Sequence, residues 1–365
     1  MKEIVVAVTN DLSYDQRMIR TCSTLTTAGY SVTLVGRTLK NSDPLAQRPF
    51  KQIRMKCKVN KGPLFYAEYN HKLLGYLNKM DFDLAVACDL DTILAVARAA
   101  KSSKCPFIFD AHEFFTEVPE LNSRNIVRSI WSGIGKRYVP GAKHCYTVGS
   151  ALAEELSIKY GRTFDVVRNV PKQLNRDLLS REDRDQVIFY QGALNEGRGL
   201  EVLIDSMEIL MEFELHLAGE GDLSTDLRLR VKHLGLQERV KFLGRVSPGE
   251  LPGLTSRALV GINILERASK SYFLSLSNKF FDYMHAGTPS INMDFPEYKT
   301  ILSGHQTGIT IDSLSVDTLS GEIRRIVNDR VLWSRLSQNC LEARTVYCWE
   351  NEQKNLLDIF ESAMT

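Results

Sequence analysis

What this sequence lacks narrows it first. No stretch of the 365 residues approaches the roughly 18 consecutive apolar residues that a membrane-spanning helix needs. The apolar run in MKEIVVAVTN is too short for a secretory leader and reads as a first β-strand. Seven cysteines lie scattered at 22, 57, 88, 105, 145, 340 and 348, with no CxxC pair and no Cys/His group at zinc spacing. Neither a disulfide framework nor a structural metal is expected, and a reducing, cytoplasmic setting fits. Charge of one sign is not in excess either: 46 Lys and Arg face 44 Asp and Glu, a formal +2, which gives no sign of a nucleic-acid partner. Low-complexity tracts and short repeats are missing too. With 44% hydrophobic and 25% charged residues, the chain is long enough for two folded domains.

What is present is an alternation of short β-rich runs and helical patterns from end to end. In the first half the runs 4–8, 32–35, 84–88, 107–110 and 145–148 are almost unbroken apolar segments, as parallel strands covered on both faces should be. Runs at 187–190, 215–218, 240–243, 260–265 and 290–293 repeat the scheme, with helices expected to begin near Leu200, Thr225, Pro248, Asn278 and Val316. The fold class is therefore α/β, with two Rossmann-like doubly wound domains facing a central cleft. Domain boundaries are expected at 1–170 and 187–348, joined by a polar linker at 171–186. A final helix at 349–365 is expected to pack back across the domains.

Ligands of open parallel sheets sit beyond the carboxyl ends of the strands. After the run 187–190 comes the loop QGALNEGRG, in which Gly192, Asn195 and Arg198 are candidates for holding a phosphate. Glycines let backbone N–H groups approach, and a guanidinium can fork onto phosphate oxygens. The alternative is a tight strand–helix turn with a solvated arginine. After the run 260–265 comes SLSNKFFDYMHAGTP. Ser277 or Asn278 can cap a helix there, and Lys279 in the first turn opposes the helix dipole unless an anion docks beside it. Asp282, one turn on, can accept from ribose hydroxyls or simply pair with Lys279.

NKFFDYMHAGTP, YQGALNEGRGLEVLIDSM, LHLAGEGD and VKFLGRVS, in that order, resemble the donor-binding half of retaining GT-B glycosyltransferases of glycosyltransferase family 4. TNDLSYDQRMIRTCSTL, LVGR, DLDT and FDAHEFFTEVPEL are similar to the N-terminal half of a bacterial subgroup. The resemblance implies a metal-independent transfer of a hexosyl group from a nucleotide-sugar to a hydroxyl acceptor, with retention. The setting would be the assembly of surface polysaccharide, glycolipid or glycoprotein glycans. It places Arg198 and Lys279 on the donor diphosphate, with Gly192, Asn195, Ser277 and Asn278 around them. Asp282 would contact the ribose, and Glu220, Arg245 and Val246 would lie near the nucleobase. His112 and its neighbour Glu113 are the candidate catalytic residues, His112 matching the family histidine that reaches the transferred sugar. No cofactor and no metal are implied.

The sequence departs from the family in two places. Leu274 stands where the first glutamate of the E-x7-E motif is expected, the nearest upstream acid being Glu266. The first loop, Asn10 to Arg17, lacks the glycines of many members, which makes Asp15 and Arg17 candidates for the acceptor side, or else a helix cap and a surface arginine. Asp89-Leu90-Asp91 spells a metal-binding DxD, but it follows a buried strand. It reads as a structural feature, with Asp91 capping the next helix.

Two stretches without acids, 44–67 and 121–145, carry the basic surplus. The second interleaves Arg124, Arg128, Lys136, Arg137 and Lys143 with Ile126, Ile130 and Trp131. It is either an ordinary core-facing helix or a segment for an anionic membrane surface at the inner face of the cell membrane. The acceptor is then a glycan or a lipid-linked molecule. A sugar-nucleotide epimerase on the same fold, or a non-catalytic nucleotide-sugar-binding partner, would share these motifs.

Overall fold

A strand with helices on both faces has no solvent side to mark with polar residues, so it appears as an unbroken apolar run. LAVAC at 84–88 is the clearest, with every residue buried. In the computed structural model, which describes residues 1–13, 15–40, 42–173 and 179–365, the chain divides into two units, Met1–Asn169 with Glu352–Thr365, and Val170–Asn351.

The first unit contains β1 (Glu3–Ala7), β2 (Ser31–Thr38), β3 (Lys51–Lys56), β4 (Leu84–Cys88), β5 (Phe107–Ala111), β6 (His144–Thr147) and β7 (Asp165–Val166). They pair in parallel in the order β3-β2-β1-β4-β5-β6-β7. The helices α1 (Gln16–Thr27), α2 (Gly62–Leu77), α3 (Leu90–Ser103), α4 (Asn125–Tyr138) and α5 (Ser150–Tyr160) lie between successive strands, except that among the described residues β3 follows β2 without a helix. The second unit has β8 (Asp185–Gln191), β9 (Glu214–Ala218), β10 (Val240–Gly244), β11 (Ala258–Asn263), β12 (Ser290–Met293) and β13 (Gly308–Ile311), in the parallel order β10-β9-β8-β11-β12-β13. Its helices are α6 (Leu200–Ser206), α7 (Ser224–His233), α8 (Leu251–Arg257), α9 (Lys270–Phe273), α10 (Asn278–His285), α11 (Pro296–Gly304), α12 (Val316–Asn328) and α13 (Arg330–Val346). The last helix, α14 (Trp349–Met364), belongs from Glu352 onward to the first unit. There Glu352 pairs with Arg168 at 3.2 Å, and Leu356 and Phe360 are buried.

Both units are thus doubly wound and Rossmann-like. Strand order reverses between β1 and β4 in one sheet and between β8 and β11 in the other. At such a switch point the connections leave in opposite directions and open a crevice at the carboxyl edge, which is where a ligand fits.

Three differences from the sequence reading have physical causes. β3, KQIRMK, is an edge strand whose polar side chains hide its strand character, and it accounts for part of the basic stretch 44–67. The polar segment 171–186 is only partly a linker. Residues 174–178 lie outside the described residues, but Arg184 is buried, donating to Ala258 O at 3.0 Å and to Thr288 Oγ1 at 2.8 Å. In the stretch 121–145 only Asn125–Tyr138 forms the helix, and Trp131 turns inward against the rings of Tyr66 and Phe115, each at 5.1 Å. Among the described residues no helix is long and apolar enough to cross a membrane.

Candidate functional site

The switch point of the second unit gathers positive charge. At the end of β8 the Gly192 N–H donates to Ala218 O at 2.9 Å, so the loops after β8 and β9 run in contact. Gly219 has φ +154, and a Cβ there would lie 1.9 Å from Gly192 O, so no other residue fits. Asn195 Oδ1 accepts from Asp222 N at 3.1 Å and ties the loop down. Arg198 follows, its guanidinium 5.0 Å above the Tyr272 ring. Arg198 Nε is buried without a hydrogen-bond partner among the described residues.

Lys279, in the first turn of α10, is 6% exposed. Its Nζ lies 4.2 Å from the centre of the Tyr190 ring and close to Gly192. Among the described residues no carboxylate pairs with either cation. Burial, together with the charge of Arg198, pushes the Lys279 ammonium well below the usual lysine range. Ser277 is the N-cap residue of α10, yet its hydroxyl donates to Asn263 Oδ1 at 2.6 Å and makes no capping hydrogen bond to the helix. Two cations and an uncapped helix end therefore converge, an arrangement that an anion completes. Asn278 is exposed at the start of the helix.

Asp282 does not pair with Lys279. It accepts from Gln191 Nε2 at 2.6 Å, and Gln191 Oε1 accepts from Thr255 Oγ1 at 3.0 Å. Glu220 pairs with Arg228 at 2.7 Å, while Arg245 is exposed and Val246 half-buried. Leu274 is buried, and Glu266 is exposed, its backbone N–H donating to Gly197 O at 2.9 Å.

The first unit holds a second cluster at the carboxyl ends of β4 and β5. Asp110 is fully buried and receives Arg17 Nη2 at 2.7 Å, Tyr146 OH at 2.9 Å and the His112 ring at 3.0 Å. Burial opposes its ionisation, but Arg17 and His112 outweigh that and hold it well below the usual carboxylate range. His112 N–H donates to Asp89 Oδ1 at 2.8 Å, with Nδ1 3.7 Å from Oδ2. Burial works against the imidazolium, yet Asp110 and Asp89 push it up to about 9. Asp89 adopts φ 57, an uncommon conformation for a non-glycine residue. Asp91 is buried, accepts from Thr9 Oγ1 at 2.5 Å, and is raised to about 7 by burial and by Asp89. Glu113 is exposed beside it.

Several sequence expectations change here. Asp15 caps α1 by accepting from Met18 N at 3.0 Å. Arg17 is not a surface residue: it is 5% exposed and bound to Asp110. Asp91 does not cap α3, whose N-cap residue is Asp89, and the Asp89-Leu90-Asp91 segment joins the His112 cluster. Asp110, Asp89, Tyr146, Tyr190 and Tyr272 were not singled out as site residues. An acid closing the apolar run FIFD, two residues before His112, was the available signal for Asp110. Cys88, Asp110 and His112 bring three donor atoms within 4.8 Å. Arg17 already supplies positive charge at Asp110, one of the three.

Residues 172–343 match the family model of the glycosyl transferases group 1. An uncharacterized glycosyltransferase of Methanocaldococcus jannaschii is 23% identical over 328 residues, which span 82% of this chain and 80% of its own. Mannosylfructose-phosphate synthase of Agrobacterium fabrum is 26% identical over 216 residues, 54% of this chain and 45% of that protein. Sucrose-phosphate synthase from Thermosynechococcus elongatus superposes with a TM-score of 0.81 at 16% identity, covering 99% of this chain and 98% of that one. Anabaena HepE, solved in complex with UDP-glucose, gives 0.77 at 15% identity, covering 99% and 100%. At such identities the superpositions establish the fold, which is of the GT-B type.

Proposed function

With residues 172–343 belonging to the glycosyl transferases group 1, we propose that this chain transfers a sugar from a nucleoside-diphosphate sugar to a hydroxyl acceptor with retention of configuration. The product class is a surface polysaccharide or the glycan of a glycolipid or glycoprotein. The observation that carries this reading is the pair Lys279 and Arg198, two cations without a carboxylate partner among the described residues, beside the uncapped start of α10. Leaving-group departure places negative charge on the diphosphate, and preorganised positive charge stabilises it. The reading assigns that charge to side chains and a helix end, with no metal and no cofactor.

Asp282, oriented by Gln191, accepts from the ribose hydroxyls, and Glu220, Arg245 and Val246 serve the nucleobase. His112, held as an imidazolium by two carboxylates, is assigned to the transferred sugar. The acceptor hydroxyl attacks from the leaving-group face and gives its proton to a phosphate oxygen.

Anabaena HepE is solved with UDP-glucose, so a UDP-sugar is the first donor to test. Arg198→Ala and Lys279→Ala should each lower donor turnover by roughly a hundredfold or more with the fold retained. Unchanged turnover in both removes the diphosphate assignment. An isomer formed from donor alone identifies an epimerase, and donor binding without transfer identifies a non-catalytic partner.

A second reading concerns α4. Ile126 is 79% and Ile130 57% exposed, one turn apart on the same helix, with Arg124, Lys136 and Arg137 also exposed. An anionic bilayer would accept both the apolar pair and the basic flank, which supports a reading of peripheral attachment at the inner face of the cell membrane. Ile126→Asp with Ile130→Asp should abolish flotation on vesicles containing phosphatidylserine. Wild-type protein absent from such vesicles sinks the idea.

A further inference from the structure

Each unpaired cation of the donor-side cluster rests on an aromatic face rather than on an acid. Lys279 Nζ lies 4.2 Å from the centre of the Tyr190 ring, and the Arg198 guanidinium lies 5.0 Å from that of Tyr272. The two tyrosines come from different elements, β8 and α9, yet they are fixed in the same way. Tyr190 OH donates to Ala193 O at 3.0 Å, and Tyr272 OH donates to Glu196 O at 3.4 Å. Both carbonyls belong to the loop that leads into α6. The Tyr272 ring also packs so closely on this loop that a Cβ at Gly197 would stand 2.9 Å from it. Burial keeps the Tyr190 phenol neutral, pushed up to about 12, so it remains a donor.

A carboxylate could also hold a buried cation, but it would neutralise the charge and compete with an incoming anion. A ring face attracts the cation through its quadrupole and leaves the net charge in place. We propose that Tyr190 and Tyr272 are the positioning residues of the anion site, each holding one of the two basic side chains in place for a nucleotide diphosphate without a neutralising acid. The glycine-rich loop is the common anchor, so ring, cation and loop are set as one piece. This assignment rests on the donor reading above and adds the residues that make it work.

The test is calorimetric binding of UDP, ADP and GDP to the full chain and to Tyr272→Phe, Tyr272→Leu, Tyr190→Phe and Tyr190→Leu. Melting midpoints are measured alongside. Phenylalanine keeps the ring face and should bind within about threefold of wild type, whereas leucine should weaken binding roughly tenfold. In an Arg198→Met background, Tyr272→Leu should add no further loss, because the ring then has no cation to hold.

Tyr190 is fully buried, so its leucine variant is open to misfolding. Tyr272 is half-buried and decides the matter by itself. Leucine at 272 binding as wild type overturns the assignment, as does phenylalanine losing as much as leucine. If wild type binds none of the three nucleotides, the donor reading falls and this assignment with it. If wild type binds and only the ring variants are silent, this assignment falls alone.

Discussion

Asp110→Asn is the most informative single change in the first unit, because one buried carboxylate holds three groups. It receives Arg17 at 2.7 Å, Tyr146 at 2.9 Å and His112 at 3.0 Å. Asparagine preserves shape and can still meet the tyrosine, but it leaves the Arg17 guanidinium buried without an opposite charge. Breaking one side of a buried pair costs roughly 3–5 kcal/mol. In a unit of this size that lowers the melting midpoint on the order of 10 °C.

The histidine supplies an independent readout. Its folded value of about 9 lies above the ordinary 6.5. The pairing therefore contributes stability that is fully present below pH 6.5 and is lost as pH rises through 9, worth about 3 kcal/mol at most. With Asp110 neutral, burial and Arg17 both disfavour the imidazolium, and only Asp89 still supports it. The His112 pKa followed by ring-proton NMR should fall by more than one unit. The stability difference between wild type and variant should be larger at pH 6 than at pH 9.5. A His112 pKa within half a unit of wild type, with a midpoint lowered by less than about 3 °C, would refute the account of this cluster.

Three further outcomes follow from the same geometry. Asp91 is raised to about 7 by burial and Asp89, so its ionisation costs stability as pH rises from 3.8 through 7. Asp91→Asn should therefore melt a few degrees higher at pH 8 and show no gain at pH 4, by differential scanning calorimetry. Lys279 is held well below 10.5 by burial and Arg198. A bound diphosphate favours the ammonium form, so the Lys279 pKa followed by NMR should be higher in the UDP complex than in the free chain. A Lys279 pKa unchanged by UDP removes that coupling. Gly219→Ala places a Cβ 1.9 Å from Gly192 O, and should abolish UDP binding and lower the melting midpoint together. Retention of either property would mean the two loops are not locked.

The sequence made the central strands plain because burial on both faces writes itself as a run of apolar residues. LAVAC is such a run and is read residue for residue as β4; SINM matches β12 as well, although its buried Ser290 and Asn292 are polar. It hid β3, whose lysines and arginine belong to a sheet edge, and α13, which starts where α12 stops. Asp329 closes one helix and caps the next by accepting from Leu332 N at 2.9 Å. With no loop between the two, the periodicities run together.

The donor-side residues were legible for a similar reason. A glycine-rich loop and a lysine in a first helical turn are local signals. Ring-to-cation contacts are not local: Arg198 and Tyr272 meet only after β8 and α9 are brought together. The pairing of Arg17 with Asp110 spans 93 positions, and nothing near Arg17 announces it.

Arg17 and Lys279 are both buried cations, at 5% and 6% exposure, yet they stand in opposite relations to the fold. Arg17 is matched by Asp110 and donates also to Val167 O at 3.1 Å, so its charge is committed to structure. Lys279 has a ring beneath it, another cation beside it and no acid partner among the described residues, so folding bears its desolvation with little return. Replacing each by methionine should separate the two roles. Arg17→Met strands the Asp110 carboxylate with only His112 for a counter-charge, and should destabilise by roughly 3 kcal/mol while UDP affinity stays within twofold. Lys279→Met removes an uncompensated buried charge and fills the space with a flexible apolar chain. It should leave the melting midpoint unchanged or raised by a few degrees, and cost UDP affinity tenfold or more. Urea unfolding and UDP titration of both variants give the comparison. A Lys279→Met protein as destabilised as Arg17→Met would mean that the lysine serves the fold and that the charge at the start of α10 is not reserved for a ligand.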